Sequence, residues 1–490
     1  MPAPDRLYST HALRELEARG IADAGDPRAL MVRAGQAAWR AVLEHWPGAR
    51  RLLVACGPGD NGGDGYELAL NALRSGREVQ VVQLGDAGGS RAARAAREAW
   101  AEAGGTVVPA GEKLPAADVI VDALFGIGLS RPLEGAAAAL VRAINGHPAP
   151  VLALDVPSGV DADTGHATGI AIDADHTLEF LAPKAGLRTG AARDLAGTLS
   201  LADLQVPSAG VDASAERLNA DDLARWLLPR RRDSHKGLHG RVLCIGGDHG
   251  LGGAVMLAAE AALRTGAGLV DVLTRPLHVA PLLARLPEAM ARGFDGSRPD
   301  PGVFARANII AIGPGLGRDD WGSALFEAAA AAGRPLVLDA DGLNLLAEGA
   351  VALPAGSVVT PHPGEAARLL GCTTAQVQAD RFAAAKALAE RHGVAVVLKG
   401  AGSLVATPGC LPRLVDAGNP GMAVGGMGDV LTGVVAALLA QGLDVFDAAS
   451  CGALLHACAG DLAAAEGERG LLPRDLMPEL RRLANPGGGP

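Results

Sequence analysis

Residues 51–76 read RLLVACGPGDNGGDGYELALNALRSG. RLLVAC is an apolar run whose length and composition suit a buried strand. GPGDNGGDG, residues 57–65, is a glycine-rich loop, and ELALNALRSG has the spacing of a helix. A strand, a glycine loop and a helix are the elements of a nucleotide-binding α/β fold. The spacing is not GxGxxG followed by a clean acidic partner, so the usual dinucleotide fingerprint is not read here. A tight strand-to-helix turn uses the same residues and stays open as the alternative.

Before this stretch, Ser9 and Thr10 can cap a helix through ALRELEARG, and ALMVRAGQAAWRAVLEHW follows Pro27 as a second helix. Their apolar spacing predicts an amphipathic lid or packing layer. After it come EVQVVQL as strand, RAARAAREAWAEAG as helix, ADVIVDALFG as strand, EGAAAALVRAIN as helix and VLALDVPSG as strand. Such βα alternation predicts a parallel sheet with helices on both faces. Ligands of such sheets sit at the carboxyl ends of the strands. Asn61, Asp122, Asp155 and Ser158 fall at those ends. An amide, a carboxylate and a hydroxyl offer oxygens to a hard cation. The low charge of Asn61, Asp122 and Ser158 suits a monovalent ion better than a structural zinc. Each of them alone also reads as a loop or cap residue.

A chain of 490 residues exceeds one ordinary core, so two domains are expected. With 49% hydrophobic and 20% charged residues, the chain is globular and not disordered. The formal charge of −10 argues against general nucleic-acid binding, and Arg230-Arg231-Arg232 is too short to reverse it. Cys56, Cys244, Cys372, Cys410, Cys451 and Cys458 are scattered without a CxxC, which fits reduced thiols in a cytoplasmic protein. The start, MPAPDRLYST, has no signal-peptide pattern, and no apolar run is long enough to span a bilayer.

A change of composition over 205–240 places the domain boundary near Gly210, giving domains at 1–210 and 211–490, with Asn219 opening the second. RVLCIGGDHGLGGAVMLAAEAALRTGAGLVDVLT repeats strand, glycine loop, helix, strand, with Ala254 at the loop's helix end. NIIAIGPGLG runs into Gly313, Gly315 and Gly317, and RPLVLDADGLNLL brings Asp339 and Asp341 to a strand end. SVVTPHPGEAARLLG sets His362 before a helix, and VAVVLKGAGSLVA meets Lys399, Gly400, Gly402 and Ser403. These loops can gather at one sheet edge. His362 alone reads as a loop or helix-capping residue. Lys399 reads either as a snorkelling strand-end lysine or as a balance for phosphate charge. There is no GxxxxGK[ST], which excludes a P-loop NTPase.

Asn419–Gly433, NPGMAVGGMGDVLTG, carries the chemistry of this half. Glycines let backbone N–H groups approach a ligand, and the helix start adds free donors and a positive dipole end. Asp429 stands at the lip of that anion site. A carboxylate there suits a base that takes a proton from a hydroxyl beside a phosphate. Helix N-capping by Asp429 is the alternative.

ALMVRAG, GPGDNGGDGYELA, DALFGIGLSRP and LALDVPSGVDADTG, in that order, resemble the NAD(P)H-hydrate epimerase domain over about residues 10–208. The resemblance implies a potassium ion on Asn61, Asp122 and Ser158. It also implies substrate binding by Asp60, Asn61, Gly62, Gly63 and Asp64, by Gly126, Ile127, Gly128, Leu129, Ser130, Arg131 and Pro132, and by Asp155. Asp60 stands where the family usually has Asn, and Ile127 where it has Thr. Lys184, in FLAPKAGL, matches the family's pattern; an exposed structural lysine is the expectation, a substrate contact the alternative. From 219 to 487, GPGLG, LDADGLNLL, TPHPGEAARLLG, VVLKGAGSLVA and NPGMAVGGMGDVLTG resemble the ADP-dependent NAD(P)H-hydrate dehydratases of ribokinase-like fold.

That resemblance implies substrate contacts from Ala254, Gly315, His362 and Asp429, with Asp429 as base. ADP is expected on Lys399, Gly400, Ala401, Gly402, Ser403 and Gly428, with magnesium accompanying it. The whole chain thus looks like the bifunctional NAD(P)H-hydrate repair family, a Rossmann-like domain followed by a ribokinase-like one. The implied substrates are hydrated NADH and NADPH, and the implied assembly is a homo-oligomer. A kinase of a small alcohol and a non-catalytic nucleotide sensor remain the alternatives.

Overall fold

The computed structural model describes residues 5–485 other than 86, 87, 112, 113, 130 and 350. It divides into two compact units, Arg6–Ala215 and Glu216–Pro490 with Met1–Asp5. The short strands β1 (Asp5–Leu7) and β9 (Ala215–Leu218) straddle that division. The compact units therefore part a few residues after Gly210, where composition alone places the boundary.

The N-terminal unit is built on β2 (Arg51–Cys56), β3 (Glu78–Gln83), β4 (Thr106–Pro109), β5 (Val119–Ala123), β6 (Val151–Leu154), β7 (His176–Phe180) and β8 (Thr198–Ala202). Their order is β4-β3-β2-β5-β6-β7-β8, and every neighbouring pair is parallel. Strands covered on both faces need continuous apolar sequence. Accordingly RLLVAC is buried from its second residue, and VIVDA is buried throughout, Asp122 included. The strand order reverses between β2 and β5, where Ala55 is in register with Asp122. A crevice opens at such a switch point.

Helix Asp60–Arg74 follows β2 with Gly59 at its N-cap. The sequence reading runs a loop to Gly65, but the helix has already begun at Asp60. The glycines serve close packing within its first two turns. A Cβ at Gly62 would lie 2.1 Å from the Gly57 carbonyl oxygen, one at Gly63 2.6 Å from Met31 Sδ, and one at Gly65 2.6 Å from Ala123 Cβ. Helices Thr10–Ala24 and Pro27–His45 bury Leu13, Leu16, Leu30 and Met31. Ser9 caps the first of them, accepting from Ala12 N–H, while Thr10 instead bonds Asp163.

The C-terminal unit contributes β10 (Arg241–Ile245), β11 (Leu269–Thr274), β12 (Met290–Gly293), β13 (Ile309–Ile312), β14 (Leu336–Leu338), β15 (Val358–Val359), β16 (Ala395–Leu398), β17 (Ser403–Ala406) and β18 (Arg413–Val415). From β9 the order is β9-β18-β17-β16-β15-β14-β13-β10-β11-β12. Only β17 among these runs antiparallel to its neighbours. This order reverses between β10 and β13, so the loops after those strands flank a second crevice. Helix Met427–Ala440 is almost wholly buried and lies against helix Gly252–Thr265. Gly433 permits the approach, since a Cβ there would fall 2.0 Å from the Ala258 carbonyl oxygen.

All six cysteines are free, four of them buried. No described helix is long and apolar enough to cross a membrane.

Candidate functional site: two strand-end centres

In the N-terminal unit a cavity of about 690 Å³ opens at the β2/β5 switch point. Of the residues singled out in the sequence, Asp60, Asn61, Asp64, Gly126, Ile127, Gly128, Leu129, Arg131 and Asp155 line it. Gly62 and Gly63 are buried in the helix behind this wall, and Pro132 is not among the lining residues. Ser130 lies outside the described residues. Helix Thr10–Ala24 supplies Arg14 and Glu17, which sequence reading did not single out. An amphipathic pattern marks the helix but not which polar residue faces a ligand.

Asp122 and Ser158 form a tight cluster at the strand ends. Ser158 donates to Asp122 from its backbone N–H at 2.8 Å and its hydroxyl at 2.7 Å, and Leu124 N–H donates at 3.1 Å. Phe125 N–H donates to Ser158 Oγ at 2.9 Å. Asp122 is thus a loop cap in part, as the plainer reading expects. Burial nevertheless pushes its carboxyl up to about 6, against the lowering effect of those bonds. Asn61 is buried, and neither its Oδ1 nor its Nδ2 has a hydrogen-bond partner. A buried amide left without partners costs about 1–3 kcal/mol. An orphaned amide oxygen with a buried carboxylate and a hydroxyl fits a monovalent cation. No described group of three or more His, Cys, Asp or Glu residues has the arrangement of a metal site.

Asp155 ends β6 with φ 69°, a left-handed conformation that a residue with a Cβ adopts at a cost. Lys184 Nζ stands 2.7 Å from Asp155 Oδ1 and donates to the Phe180 carbonyl at 3.0 Å. The lysine is fully buried. The expectation of an exposed structural lysine is therefore corrected. A buried ammonium needs an anion, and Asp155 provides it. Asp64 has the opposite surroundings. Its carboxyl is pushed well above the usual range by burial and by the neighbouring carboxylates of Asp155, Glu17, Asp60 and Glu67.

The second centre gathers at the strand ends of the C-terminal unit. Helix Met427–Ala440 has Gly426 as its N-cap at φ 98°, and Asp429 lies in the first turn. Asp429 is therefore not the cap, because the chain enters the helix three residues earlier than the apolar run suggests. Burial, reinforced by Asp339 and opposed by Lys399, pushes the Asp429 carboxyl up to about 7.

Lys399 does not snorkel. Its Nζ is 2.6 Å from Asp339 Oδ1 and 3.8 Å from Glu365 Oε2. Thr432 Oγ1 donates to the other Asp339 oxygen at 3.3 Å. Gly428 sits on this pair, since a Cβ there would meet Asp339 Oδ2 at 2.8 Å and Lys399 Nζ at 3.1 Å.

His362 caps helix Pro363–Leu370 in a capping box with Glu365, accepting from Gly364 N–H at 3.0 Å. The capping reading is right for its Nδ1, while half of the side chain stays exposed. Gly315, at φ 57°, and Ala254 come together: a Cβ on Gly315 would lie 3.3 Å from that of Ala254. The loop 400–403 rests on Arg381, a fully buried side chain whose Nη2 donates to the carbonyls of Leu398, Lys399 and Gly402. Gly400 at φ 137° and Gly402 at φ 64° need the freedom of glycine here, and Ser403 Oγ donates to the Gly400 carbonyl. Ala401 at the loop tip is exposed. Arg381 has no sequence signal, because its role depends on a contact across the fold. Glu365 is signalled only by its place three residues after His362.

Comparison with known proteins agrees with this division of chemistry. Residues 242–482 match the family described as NAD(P)H-hydrate dehydratase, and residues 27–186 match the YjeF-related protein N-terminus. The bifunctional NAD(P)H-hydrate repair enzyme Nnr of Escherichia coli is 46% identical over 462 residues, 93% of this chain and 89% of that one. A ribokinase-like superfamily protein of Enterococcus faecalis is 33% identical, with a TM-score of 0.52 over 56% of this chain and 98% of its own. The ADP/ATP-dependent NAD(P)H-hydrate dehydratase of Bacillus subtilis, co-crystallized with ATP/Mg2+, is 29% identical, with a TM-score of 0.50 over 54% and 96%. With a Rossmann-like unit preceding a ribokinase-like one and this identity across nearly its whole length, the chain belongs to the bifunctional NAD(P)H-hydrate repair enzymes.

Proposed function

We infer that the chain repairs hydrated NADH and NADPH in two steps. The N-terminal unit interconverts the R and S epimers, and the C-terminal unit dehydrates the S epimer with a nucleotide. The observation that carries the second step is Asp429, a half-buried carboxyl pushed up to about 7 in the first turn of a glycine-entered helix. A base is best matched to its task when its pKa lies near the working pH.

Hydroxide is a poor leaving group at neutral pH, whereas phosphate is a good one. Asp429 takes the proton from the substrate hydroxyl as a phosphoryl group moves onto its oxygen. Elimination of phosphate then restores the reduced ring. With ADP as donor the products are AMP, phosphate and NADH or NADPH. The backbone N–H groups at the start of helix Met427–Ala440 face the transferring charge, as donors fixed before the reaction begins. Lys399 and residues 400–403 hold the nucleotide with Gly428, and Ala254, Gly315 and His362 contact the hydrated nicotinamide. Magnesium, when bound, neutralises phosphate charge. ADP is the donor favoured by resemblance, and the Bacillus subtilis relative is named for either ADP or ATP.

In the N-terminal unit, Asp60, Asn61 and Asp64, the loop residues 126–129 with Arg131, and Asp155 hold the substrate. Asn61, Asp122 and Ser158 would hold potassium, which would supply a positive charge to balance the Asp122 carboxylate. A cytoplasmic homo-oligomer completes the reading.

The test is incubation of hydrated NADH with ADP, following the return of reduced-nicotinamide absorbance. R and S substrates are supplied separately. Immediate recovery from S and epimerase-dependent recovery from R support the reading. Accumulation of a stable phosphorylated product marks a kinase instead.

A further inference from the structure

Among the described residues, the cavity of the N-terminal unit is lined by three aspartates, and two of them, Asp155 and Asp64, have opposite surroundings. Asp155 is matched by the buried ammonium of Lys184 at 2.7 Å. Asp64 lines the same cavity and forms no ion pair with any described residue. On its own helix it has Asp60 one turn before it and Glu67 one turn after. Glu67 is itself occupied by Arg28 at 3.3 Å. Helix Thr10–Ala24 brings Glu17 and Arg14 to the cavity, and the loop after β5 brings Arg131. Neither arginine pairs with Asp64. The side chain of Asn61, three residues away, makes no hydrogen bond to it.

When two carboxyls in one cavity have such different neighbours, one stays charged and the other keeps its proton; the pair then divides acid and base roles. We propose that Asp64 is the general acid of the N-terminal reaction, protonating the ring hydroxyl of the hydrated nicotinamide so that it leaves as water. The proposal rests on the epimerase reading of this unit.

The chemistry follows from the substrate. A reduced nicotinamide ring contains an enamine, and adding water to an enamine places the hydroxyl on the carbon beside nitrogen. Asp64 gives its proton to that hydroxyl, the C–O bond breaks, and the nitrogen lone pair closes a C=N bond. The ring is then an iminium cation and Asp64 a carboxylate. Water adds to the other face, the C=N electrons return to nitrogen, the water's extra proton passes to solvent, and Asp64 regains a proton from solvent. Nothing is oxidised or reduced, and only the configuration changes. Asp155, Asp60 and Glu17 surround the developing cation with negative charge, the complementarity that electrostatic catalysis requires. The same carboxylates, together with burial, hold the Asp64 proton in place before reaction.

The experiment uses the full chain and R substrate, with ADP and saturating dehydration as the readout. Epimerisation by the unaltered protein is established first; its absence would refute the epimerase reading of the unit and, with it, the role of Asp64. Given that activity, Asp64→Asn is expected to lower kcat by about 10²–10⁴ with KM changed little, the loss typical of a missing acid. Asp64→Glu, which keeps the proton, is expected to recover part of it. The unaltered protein's rate should fall on the alkaline side as Asp64 loses its proton, and Asp64→Asn should remove that limb. In ¹⁸O-labelled water with ADP omitted, each inversion should place one solvent oxygen on the hydrated epimer. Full kcat in a folded Asp64→Asn protein, an unchanged alkaline limb, or inversion with the original oxygen retained would each overturn the proposal. A KM rise with unchanged kcat would likewise reduce Asp64 to a binding residue.

Discussion

Asp429 and Lys184 show how a single side chain takes its role from what it is buried against. Asp429 is raised to about 7 by burial and by Asp339, and a base works only when unprotonated. Dehydration of S substrate should therefore rise with pH through about 7 and fall away below it. Asp429→Asn should remove most turnover, by about 10²–10⁴, because an amide cannot take the proton. Nucleotide affinity, read by calorimetry, should stay near its original value. Parent-rate turnover in that variant would make Asp429 a bystander. Lys184 carries the converse lesson. Lys184→Met removes the cation from Asp155 and leaves a largely buried carboxylate unpaired. Breaking such a pair typically destabilises by about 3–5 kcal/mol. The expected outcome is a lower unfolding midpoint of the N-terminal unit together with slower epimerisation, while dehydration of S substrate continues. An unchanged midpoint would mean that water replaces the ammonium.

Elements were legible where one rule governed them. The apolar runs RLLVAC, VIVDA and AVVL are strands because both faces of a parallel sheet are covered, and their ends locate the loops. What the sequence could not display were choices made by contacts between distant segments. Glycines 62, 63 and 65 look like loop residues, yet they are helical, and they are glycines because Gly57, Met31 and Ala123 leave no room for a Cβ. Arg381 under the 400–403 loop and the burial of Lys184 against Asp155 are invisible for the same reason. The element most exposed to such a contact is helix Met427–Ala440. Gly433→Ala would drive a methyl group into the Ala258 carbonyl and part this helix from Gly252–Thr265. Overpacking of this kind costs typically about 1–3 kcal/mol. Because one helix carries Asp429 and the other Ala254, urea unfolding of the C-terminal unit and the KM for S substrate should worsen together. Gly402→Val, at φ 64°, should weaken nucleotide binding and leave epimerisation unchanged. Loss of both activities would count against separate sites.

At the scale of the whole molecule, two compact units with their own sheets imply that each activity can be lost alone. The cation reading offers the cleanest separation. Asn61 in the first turn of helix Asp60–Arg74, Asp122 near the end of β5 and Ser158 in the loop after β6 lie within one unit. Only Asp122 brings a full charge, which a single positive charge balances. A divalent ion usually gathers more carboxylates, and zinc usually gathers His or Cys. The orphaned Asn61 amide argues that the cluster of Asp122 and Ser158 is incomplete by itself. Exchanging potassium for a large organic cation at constant ionic strength should slow epimerisation and leave dehydration of pure S substrate at its original rate. Asp122→Ala should reproduce that loss and abolish the cation dependence, since no carboxylate then balances the ion. If epimerisation ran equally in both salts, Asp122 would be only the cap that Leu124 and Ser158 already make it, and the amide of Asn61 would have to be satisfied by water. A fall of both activities in the organic salt would point instead to a general effect on the protein, because those three side chains belong to the N-terminal unit.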